Sequence, residues 1–370
     1  MMKFKINFEK FPDYSVPRLT IELMGHFSVD GDAKYQADLS QLKYYIPPPI
    51  LDNVCYDLKR NSECSTRFKP DACERLDFIF QWITENFSRL EKPLSMQKER
   101  WLDVDFICRR GVLQTLLCSP YKRYKENMKE EEKDRKKWII CASKYRGTIY
   151  LRKFYTDELE KITTGYKFEQ YMLADDPSHE PDPSASLNIC EEFHCVFKAK
   201  FGDHSLLYGA EIDGILSQEP IKDTLIDKKL LVELKTCPMY YDSEYGKFDL
   251  DRTIGWWSQS YLVGIDKIIC GLKDKSNTVR MIKEYSTNSL VSQSKIPCNV
   301  KPCKMFCKIF LDNVKRIVTK DYNECIYKFH WNPRTKSIVN YTEEAPDNEK
   351  YVFLKEWFIE KVEKYKNTYQ

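Results

Sequence analysis

The sequence has little net charge and lacks long apolar runs. Its 59 lysines and arginines nearly balance 56 aspartates and glutamates, which leaves a formal net charge of +3. This balance excludes a generally basic nucleic-acid-binding surface, so any contact with a nucleic acid must be local. No apolar stretch approaches the length that spans a bilayer, and residues 1–6 lack the apolar core of an export signal. We therefore expect a soluble, unsecreted protein with no membrane partner.

The sequence also lacks the cysteine spacing of a disulfide scaffold or a zinc site. Fourteen cysteines are scattered along the chain, and none forms a Cys-x-x-Cys pair. The tightest group, Cys190 to Cys195 with His194, has no second ligand pair at zinc-site spacing. We expect reduced, mostly buried thiols.

No internal repeat and no low-complexity linker divides the chain, so we expect one domain over residues 1–370. Apolar residues make up 42% of the sequence, which is enough for a large core. Apolar spacing predicts helices over 76–87, 156–173 and 252–263, and strands over 106–117, 138–142, 148–151, 205–215 and 229–236. The strands over 138–142 and 148–151 are expected to form a hairpin. The pattern is typical of a mixed α/β fold.

Two acidic motifs lie about twenty residues apart in this pattern. Glu211 and Asp213 are separated by one residue, so an extended strand directs both carboxylates to one face. Glu233 and Lys235 share a face for the same reason. Neighbouring strands would then gather three carboxylates and one amine around a single point.

Carboxylates held this close repel one another unless a cation neutralises them, and oxygen ligands favour Mg²⁺ or Mn²⁺. Paired metal ions and a nearby lysine are suited to hydrolysis of phosphodiester bonds. The order, an acidic pair followed by Glu-x-Lys, is also that of restriction-endonuclease-like nucleases. The alternative is that both motifs lie on solvated strand faces and bind nothing. We favour the site because the two motifs occur together, on strands whose other residues are apolar.

A wider set of motifs resembles the DXO-type decapping exoribonucleases. The similarity runs from about Leu42 to the segment 351–357, and the motifs occur in the family's order at 165–172, 181–184, 209–213, 232–236 and 256–260. The resemblance implies a mixed α+β fold with two packed mixed or antiparallel sheets, outer helices, a restriction-endonuclease-like core and an active site in the cleft.

The resemblance also implies the ligands of two metal ions, Mg²⁺ or Mn²⁺. Asp213 would bridge both ions and Glu211 would bind one of them. Glu233 and the carbonyl oxygen of Leu234 would bind the other ion. Glu169, on a helix, would add a fourth carboxylate.

Substrate contacts follow from the same resemblance. Arg110, next to Gly111, would bind the 5′ or scissile phosphate, for which a guanidinium is well shaped. Lys235 and Gln259 would contact the scissile phosphate and the attacking water. For Gln259 a hydrogen-bonded position at the rim of a tryptophan-rich helix is the alternative.

Three positions depart from the family pattern or match it weakly. Lys43 stands where relatives carry arginine, and a lysine is a less directional phosphate ligand. Arg109 stands where some relatives carry tryptophan, which alters contacts to the first nucleotide. Glu74 corresponds to a substrate-contacting glutamate, although the dipole of a helix equally explains an acidic residue in its first turn.

The implied function is hydrolysis at the 5′ end of RNA. It comprises removal of incomplete, unmethylated or NAD caps, release of pyrophosphate from 5′-triphosphate RNA, and 5′-to-3′ degradation. One alternative is a non-catalytic RNA-end-binding partner that stabilises a larger 5′-to-3′ exoribonuclease, and another is a restriction-like DNA nuclease. The resemblance further implies a monomer, an exoribonuclease partner, and localisation in the nucleus with some protein in the cytoplasm.

Overall fold

The structure is a computed structural model that describes residues 1–8, 12–60, 76–96, 100–123, 128–129, 133, 136–154, 164–222, 226–242, 250–292 and 298–369. The strands in these ranges are β1 (Met2–Lys5), β2 (Leu19–Val29), β3 (Tyr35–Gln36), β4 (Tyr44–Tyr45), β5 (Tyr56–Asp57), β6 (Phe106–Arg109), β7 (Trp138–Tyr145), β8 (Thr148–Phe154), β9 (Leu173–Ala174), β10 (Glu192–Phe201), β11 (His204–Glu211), β12 (Gly214–Ile215), β13 (Leu231–Pro238), β14 (Lys267–Lys273), β15 (Thr278–Ser286), β16 (Ile326–Trp331) and β17 (Ile338–Glu344). The helices are α1 (Asp77–Glu85), α2 (Phe87–Leu90), α3 (Arg110–Cys118), α4 (Thr164–Met172), α5 (Leu250–Tyr261), α6 (Thr287–Leu290), α7 (Lys301–Ile317) and α8 (Glu356–Tyr369).

The larger sheet has ten strands in the order β1-β17-β16-β7-β8-β6-β11-β10-β2-β3. Strands β8, β6 and β11 run parallel to one another, whereas the other neighbours are antiparallel. The predicted hairpin is confirmed as β7 and β8, joined by Arg146 and Gly147, both at positive φ. A two-residue turn of this conformation suits the twist of a hairpin.

The smaller sheet has seven strands in the order β5-β15-β14-β13-β12-β4-β9. The chain passes from the larger sheet to this one between β11 and β12. The backbone N–H of Ile212 still donates to Phe193 in the larger sheet (2.9 Å), while that of Ile215 donates to Lys43 in the smaller one (2.9 Å). The predicted strand over 205–215 is therefore wrong at its end, because the chain changes sheets just before Asp213.

The core explains why two sheets form. One apolar cluster joins residues of the larger sheet, such as Phe106 and Tyr208, to Tyr44 and Leu231 of the smaller sheet and to Phe306 of α7. A second cluster packs α1 and α8 on the opposite face of the larger sheet. Since its central strands are covered on both faces, they consist of nearly continuous apolar runs. The predicted two-sheet mixed α/β fold with outer helices is confirmed.

Two predicted elements differ in outcome. One of them is wrong at its end, and the other lies partly outside the described residues. The segment 106–117 does not continue as a strand, because the chain becomes helical at Arg110, where α3 begins. The predicted helix over 156–173 is described only as α4, and residues 155–163 lie outside the described ranges. The prediction of one domain over residues 1–370 stays a prediction.

Most of the described cysteines are buried. The expectation of mostly buried thiols agrees with these residues, and the absence of a disulfide framework stays a prediction. In the described part of the chain, no helix is long and apolar enough to span a membrane.

A glycine on β14 allows α4 to lie close to the smaller sheet. A Cβ atom added at Gly271 would lie 2.6 Å and 2.9 Å from two ring carbons of the buried Phe168 on α4. We predict that Gly271→Ala lowers the free energy of unfolding by about 1–3 kcal/mol, because the ring has to move within a packed core. Urea denaturation measures this change.

The matched control is Gly255→Ala on α5. A Cβ atom there has no neighbour within 4 Å, and alanine in a helix is more favourable than glycine by about 1 kcal/mol. An alanine at Gly271 that left stability unchanged, with the control behaving as stated, would show that α4 is not held this closely.

Candidate active site

Four carboxylates and one lysine approach one another where the two sheets meet. Glu211 is the last residue of β11, and Asp213 lies between β11 and β12. Since Gly214 pairs with Val232, the residue before Gly214 lies beside Glu233 of β13. The backbone N–H of Leu234 donates to Asp213 Oδ2 at 2.6 Å, which joins the two segments directly.

Helix α4 contributes Glu169 and is anchored by its own neighbours. Phe168 packs into an apolar cluster with Val232 and Leu234 of β13. Lys167 is only 1% exposed, and its ammonium donates to the backbone carbonyl of Pro183 and to the side chain of Gln170. The 181–184 loop, which carries one of the family motifs, therefore holds the helix that carries Glu169. Sequence reasoning missed Lys167, whose burial no local pattern indicates.

Glu233 is completely buried and lies between two cations. The Lys235 ammonium donates to Oε1 of Glu233, and Nη1 of Arg110 lies 3.5 Å from Oε2. Oε2 of Glu233 and Nη1 of Arg110 make no hydrogen bond, although both atoms are buried. This ion pair therefore leaves part of the capacity of the Glu233 carboxylate unused.

The protonation behaviour of the cluster follows from burial and repulsion. Burial, and then the negative charge of Glu233, raise the pKa of Asp213 to about 7. Burial, and then repulsion by Asp213 and Glu211, raise the pKa of Glu169 well above its usual range. Burial alone would lower the pKa of Lys235, but the neighbouring carboxylates raise it. Lys235 thus stays charged, while Asp213 and Glu169 resist ionisation.

The donor set fits a hard divalent cation, because all of its side-chain donors are carboxylate oxygens whose ionised forms need a counter-charge. In the described ranges, however, no three His, Cys, Asp or Glu side chains stand in an arrangement that could hold a metal ion. The Lys235 ammonium instead donates to Oε1 of Glu233, so ligation through that oxygen would require the ammonium to move away.

A cavity of about 180 Å³ borders the cluster at Glu211. Arg109, Arg110 and Gly111 line it at the start of α3. Arg110 is 9% exposed and also reaches Glu233, so it connects this cavity with the carboxylates.

The remaining predicted residues are Gln259, Lys43 and Glu74. Gln259 is half-buried on α5, a helix tied to α3 by a hydrogen bond from Gln114 to the carbonyl of Gly255 (3.2 Å). The ammonium of Lys43 pairs with Asp175, which is not one of the four carboxylates of the cluster. Glu74 lies outside the described residues.

Two packed sheets, with a Glu-x-Lys strand beside an acidic pair, define a nuclease core of the restriction-endonuclease-like class. The chain belongs to the family described as RAI1 like PD-(D/E)XK nuclease, whose model matches residues 22–359. The resemblance to the decapping exoribonucleases is thereby confirmed.

Individual relatives agree with this membership. The decapping and exoribonuclease protein of Rattus norvegicus is 30% identical over 95% of this chain and 86% of its own length. Two solved structures share the fold: Candida albicans Rai1 in complex with pU5-Mn²⁺ (TM-score 0.76, 16% identity) and Scheffersomyces stipitis Rai1 in complex with (3′-NADP)⁺ and calcium ion (TM-score 0.75, 17% identity). Each covers 98% of this chain and 100% of the compared chain.

The raised pKa of Asp213 predicts how the metal-free protein responds to pH. A carboxyl group with a raised pKa binds its proton more tightly in the folded state, so stability falls as pH rises from about 4 through about 7. Asp213→Asn removes this loss, and we expect it to raise the Tm of the metal-free protein at pH 8 by about 2 °C or more. Thermal denaturation in a chelator at pH 5 and pH 8 measures the difference.

Asp274→Asn provides the opposite control. The hydrogen bond from Ser276, followed by others from Thr278 and Arg280, lowers the pKa of Asp274, so its carboxylate stabilises the fold at neutral pH. That variant should lose stability at pH 8. A lower Tm for Asp213→Asn at pH 8 would contradict repulsion within the cluster.

Proposed function

We propose that this protein is a metal-dependent hydrolase of RNA 5′ ends. The observation that carries the proposal is the convergence of Glu169, Glu211, Asp213 and Glu233 around Lys235, with two of the carboxyl pKa values raised. The names of the relatives support the substrate, since the rat protein is called a decapping and exoribonuclease protein. The proposed reactions are removal of incomplete, unmethylated or NAD caps, release of pyrophosphate from 5′-triphosphate RNA, and 5′-to-3′ degradation.

The proposed cofactors are two Mg²⁺ or Mn²⁺ ions. Glu169, Glu211, Asp213, Glu233 and the carbonyl of Leu234 would hold them. Bound ions of this kind activate water and neutralise charge on the phosphate. The Rai1 structures in complex with Mn²⁺ or calcium ion support a divalent cation.

The cations of the chain have separate roles in this proposal. Lys235 keeps its proton and offers a fixed positive charge to the scissile phosphate and an N–H donor to the attacking water. Arg110 and the adjacent Gly111 bind a neighbouring phosphate oxygen, because a guanidinium presents paired donors. Gln259 donates to the phosphate from α5.

Every proposed reaction breaks one phosphorus–oxygen bond. The oxygen of a water molecule bonds to phosphorus, the bond to the leaving oxygen breaks with its electron pair, and a water proton is released. With 5′-triphosphate RNA the products are 5′-monophosphate RNA and pyrophosphate. A single centre can serve several 5′ ends, since only the register of the substrate changes.

Glu233→Gln tests the centre with little change of shape. We predict a loss of kcat of at least about 100-fold with Mn²⁺, because the buried site loses a carboxylate on which the proposed ions depend. Wild-type protein should also gain Tm on addition of Mn²⁺, by the linkage of binding to folding, and the variant should gain much less. The measurements are product analysis and thermal denaturation.

Glu284→Gln is the matched control, since Glu284 is an exposed residue of the same sheet paired with Lys267. It should retain wild-type activity. Substantial Mn²⁺-dependent hydrolysis by Glu233→Gln would refute the assignment.

An assay with five RNA substrates identifies the preferred 5′ end. The RNAs bear a triphosphate, an unmethylated cap, a methylated cap, NAD or a monophosphate. Single-stranded DNA of equal sequence is included, since the restriction-like alternative predicts equal cleavage of DNA. A wild-type protein that binds these RNA ends but hydrolyses none of them would favour the non-catalytic adapter.

The monomeric state, a 5′-to-3′ exoribonuclease partner and localisation in the nucleus with some cytoplasmic protein are also proposals. They follow from family resemblance. Light scattering of the purified chain tests the first, co-purification with a tagged exoribonuclease the second, and microscopy of a fluorescent fusion the third.

A further inference from the structure

A buried acid–base pair lies on the strand next to Glu211. Glu192 and His194 are the first and third residues of β10, so their side chains point to the same face of the larger sheet. Each residue is only 3% exposed, and a hydrogen bond of 2.7 Å joins Nε2 of His194 to Oε2 of Glu192. Neither residue has a part in the hydrolysis proposed above.

Strand register places His194 directly opposite Glu211. The two residues are partners in the antiparallel pairing of β10 with β11. The backbone N–H of Ile212 donates to the carbonyl of Phe193 at 2.9 Å, so these two residues form a hydrogen-bonded pair and the next pair, His194 with Glu211, does not. In a pair of the second kind the Cα atoms are about 4.5 Å apart, and the side chains are closest. The imidazole and the carboxylate are therefore neighbours on one face.

The imidazole of His194 is also fixed from its other side. Strand β2 lies beside β10 on the side away from β11, and its Phe27 is the second register partner of His194. The two rings are stacked, with centroids 4.8 Å apart and planes inclined by 8°. Since the stack and the hydrogen bond to Glu192 hold the ring in one orientation, the ring can restrict the rotation of a neighbouring side chain.

Two other carboxylates of the cluster are held by direct contacts. The backbone N–H of Leu234 donates to Asp213, and the ammonium of Lys235 donates to Glu233. Glu211 is half-buried at the end of β11, where it borders the cavity. A metal ligand binds more tightly when its surroundings hold it in the binding rotamer, because less side-chain entropy is lost on binding. The cross-strand neighbour on β10 is placed to supply this restraint.

We propose that His194 is a positioning residue, which holds the Glu211 carboxylate in the orientation that binds a divalent metal ion. Glu192 and Phe27 fix the imidazole, and the imidazole in turn restricts Glu211. The inference rests on the proposed function for the role of Glu211 as a metal ligand. His194 acts through that carboxylate and touches neither the ion nor the substrate.

Metal binding in the absence of RNA tests this role. Full-length protein is titrated with Mn²⁺, and the Kd is obtained from the electron paramagnetic resonance signal of the free ion. We expect His194→Ala to raise the Kd by about tenfold or more, as the loss of a residue that orients a metal ligand commonly does. His194→Gln should stay within about threefold of wild type, because its amide nitrogen can replace Nε2 in the hydrogen bond to Glu192.

His204→Ala is the matched control for the loss of a buried histidine. His204 is 4% exposed, and its Nε2 lies 2.7 Å from Oδ1 of Asp312. It is the first residue of β11, whereas Glu211 is the last. Both alanine variants should lose stability in a chelator, but the control should keep the wild-type Kd for Mn²⁺. A wild-type Kd for His194→Ala would show that His194 only stabilises the fold, and would overturn the proposal.

His194→Asn is used if His194→Ala does not fold. The asparagine side chain is too short to place its amide where Nε2 lies, so it loses the hydrogen bond to Glu192 and the support beside Glu211. Its Kd for Mn²⁺ should be at least about threefold higher than that of His194→Gln. Equal constants for these two variants would count against the positioning role.

Hydrolysis of 5′-triphosphate RNA at increasing Mn²⁺ separates this inference from the proposed function. The Mn²⁺ concentration for half-maximal rate should rise in His194→Ala by the same factor as the Kd. A wild-type chain that hydrolyses no RNA, but whose Mn²⁺ affinity depends on His194 as stated, would refute the function and support the positioning role. An active enzyme whose Mn²⁺ affinity is unchanged in His194→Ala would refute the positioning role alone.

Discussion

Mutual repulsion among four carboxylates is the interaction on which the structure of the site depends. Glu233 lies wholly within the protein, and Asp213 and Glu169 hold their protons more tightly than free carboxyl groups do. Within the described ranges, Lys235 and Arg110 partly offset this charge through contacts with Glu233. A fold that retains such an arrangement gives up stability for chemistry, as active sites commonly do.

The change of sheet after β11 makes this concentration of charge possible. Glu211 ends a strand of the larger sheet, and Asp213 follows it into the smaller one beside Glu233. Helix α4 approaches from a third direction, because Gly271 leaves room for Phe168 and the 181–184 loop binds Lys167. Apolar packing of both sheets into one core holds these segments together.

Local sequence pattern predicted the parts of this arrangement that depend on short-range periodicity. Alternation identified the Glu-x-Lys strand and the acidic pair, and the turn residues identified the β7–β8 hairpin. It did not predict the break at Asp213, since leaving one sheet for another depends on long-range pairing. Nor does any local signal connect Glu169 with residues forty positions later; only the family resemblance placed it in the site.

Long-range strand order also explains why the cavity beside Glu211 was not predicted. Arg109 and Arg152 belong to strands whose adjacency depends on the parallel pairing of β6 with β8, which no spacing within either segment reveals. The start of α3 at Arg110 was missed because the apolar residues on both sides of Arg109 to Gly111 suit a strand or a helix equally well. The residue types of the site could thus be predicted from the sequence. The residues that surround it could be identified only once the strand order was known.

Anomalous diffraction from crystals of the protein grown with Mn²⁺ tests the central claim most directly. We predict two anomalous peaks within about 2.0–2.3 Å of carboxylate oxygens, with Asp213 shared between the two ions and the Lys235 ammonium displaced from Glu233. Crystals at saturating Mn²⁺ that showed no peak among these carboxylates, with Lys235 still paired to Glu233, would contradict it.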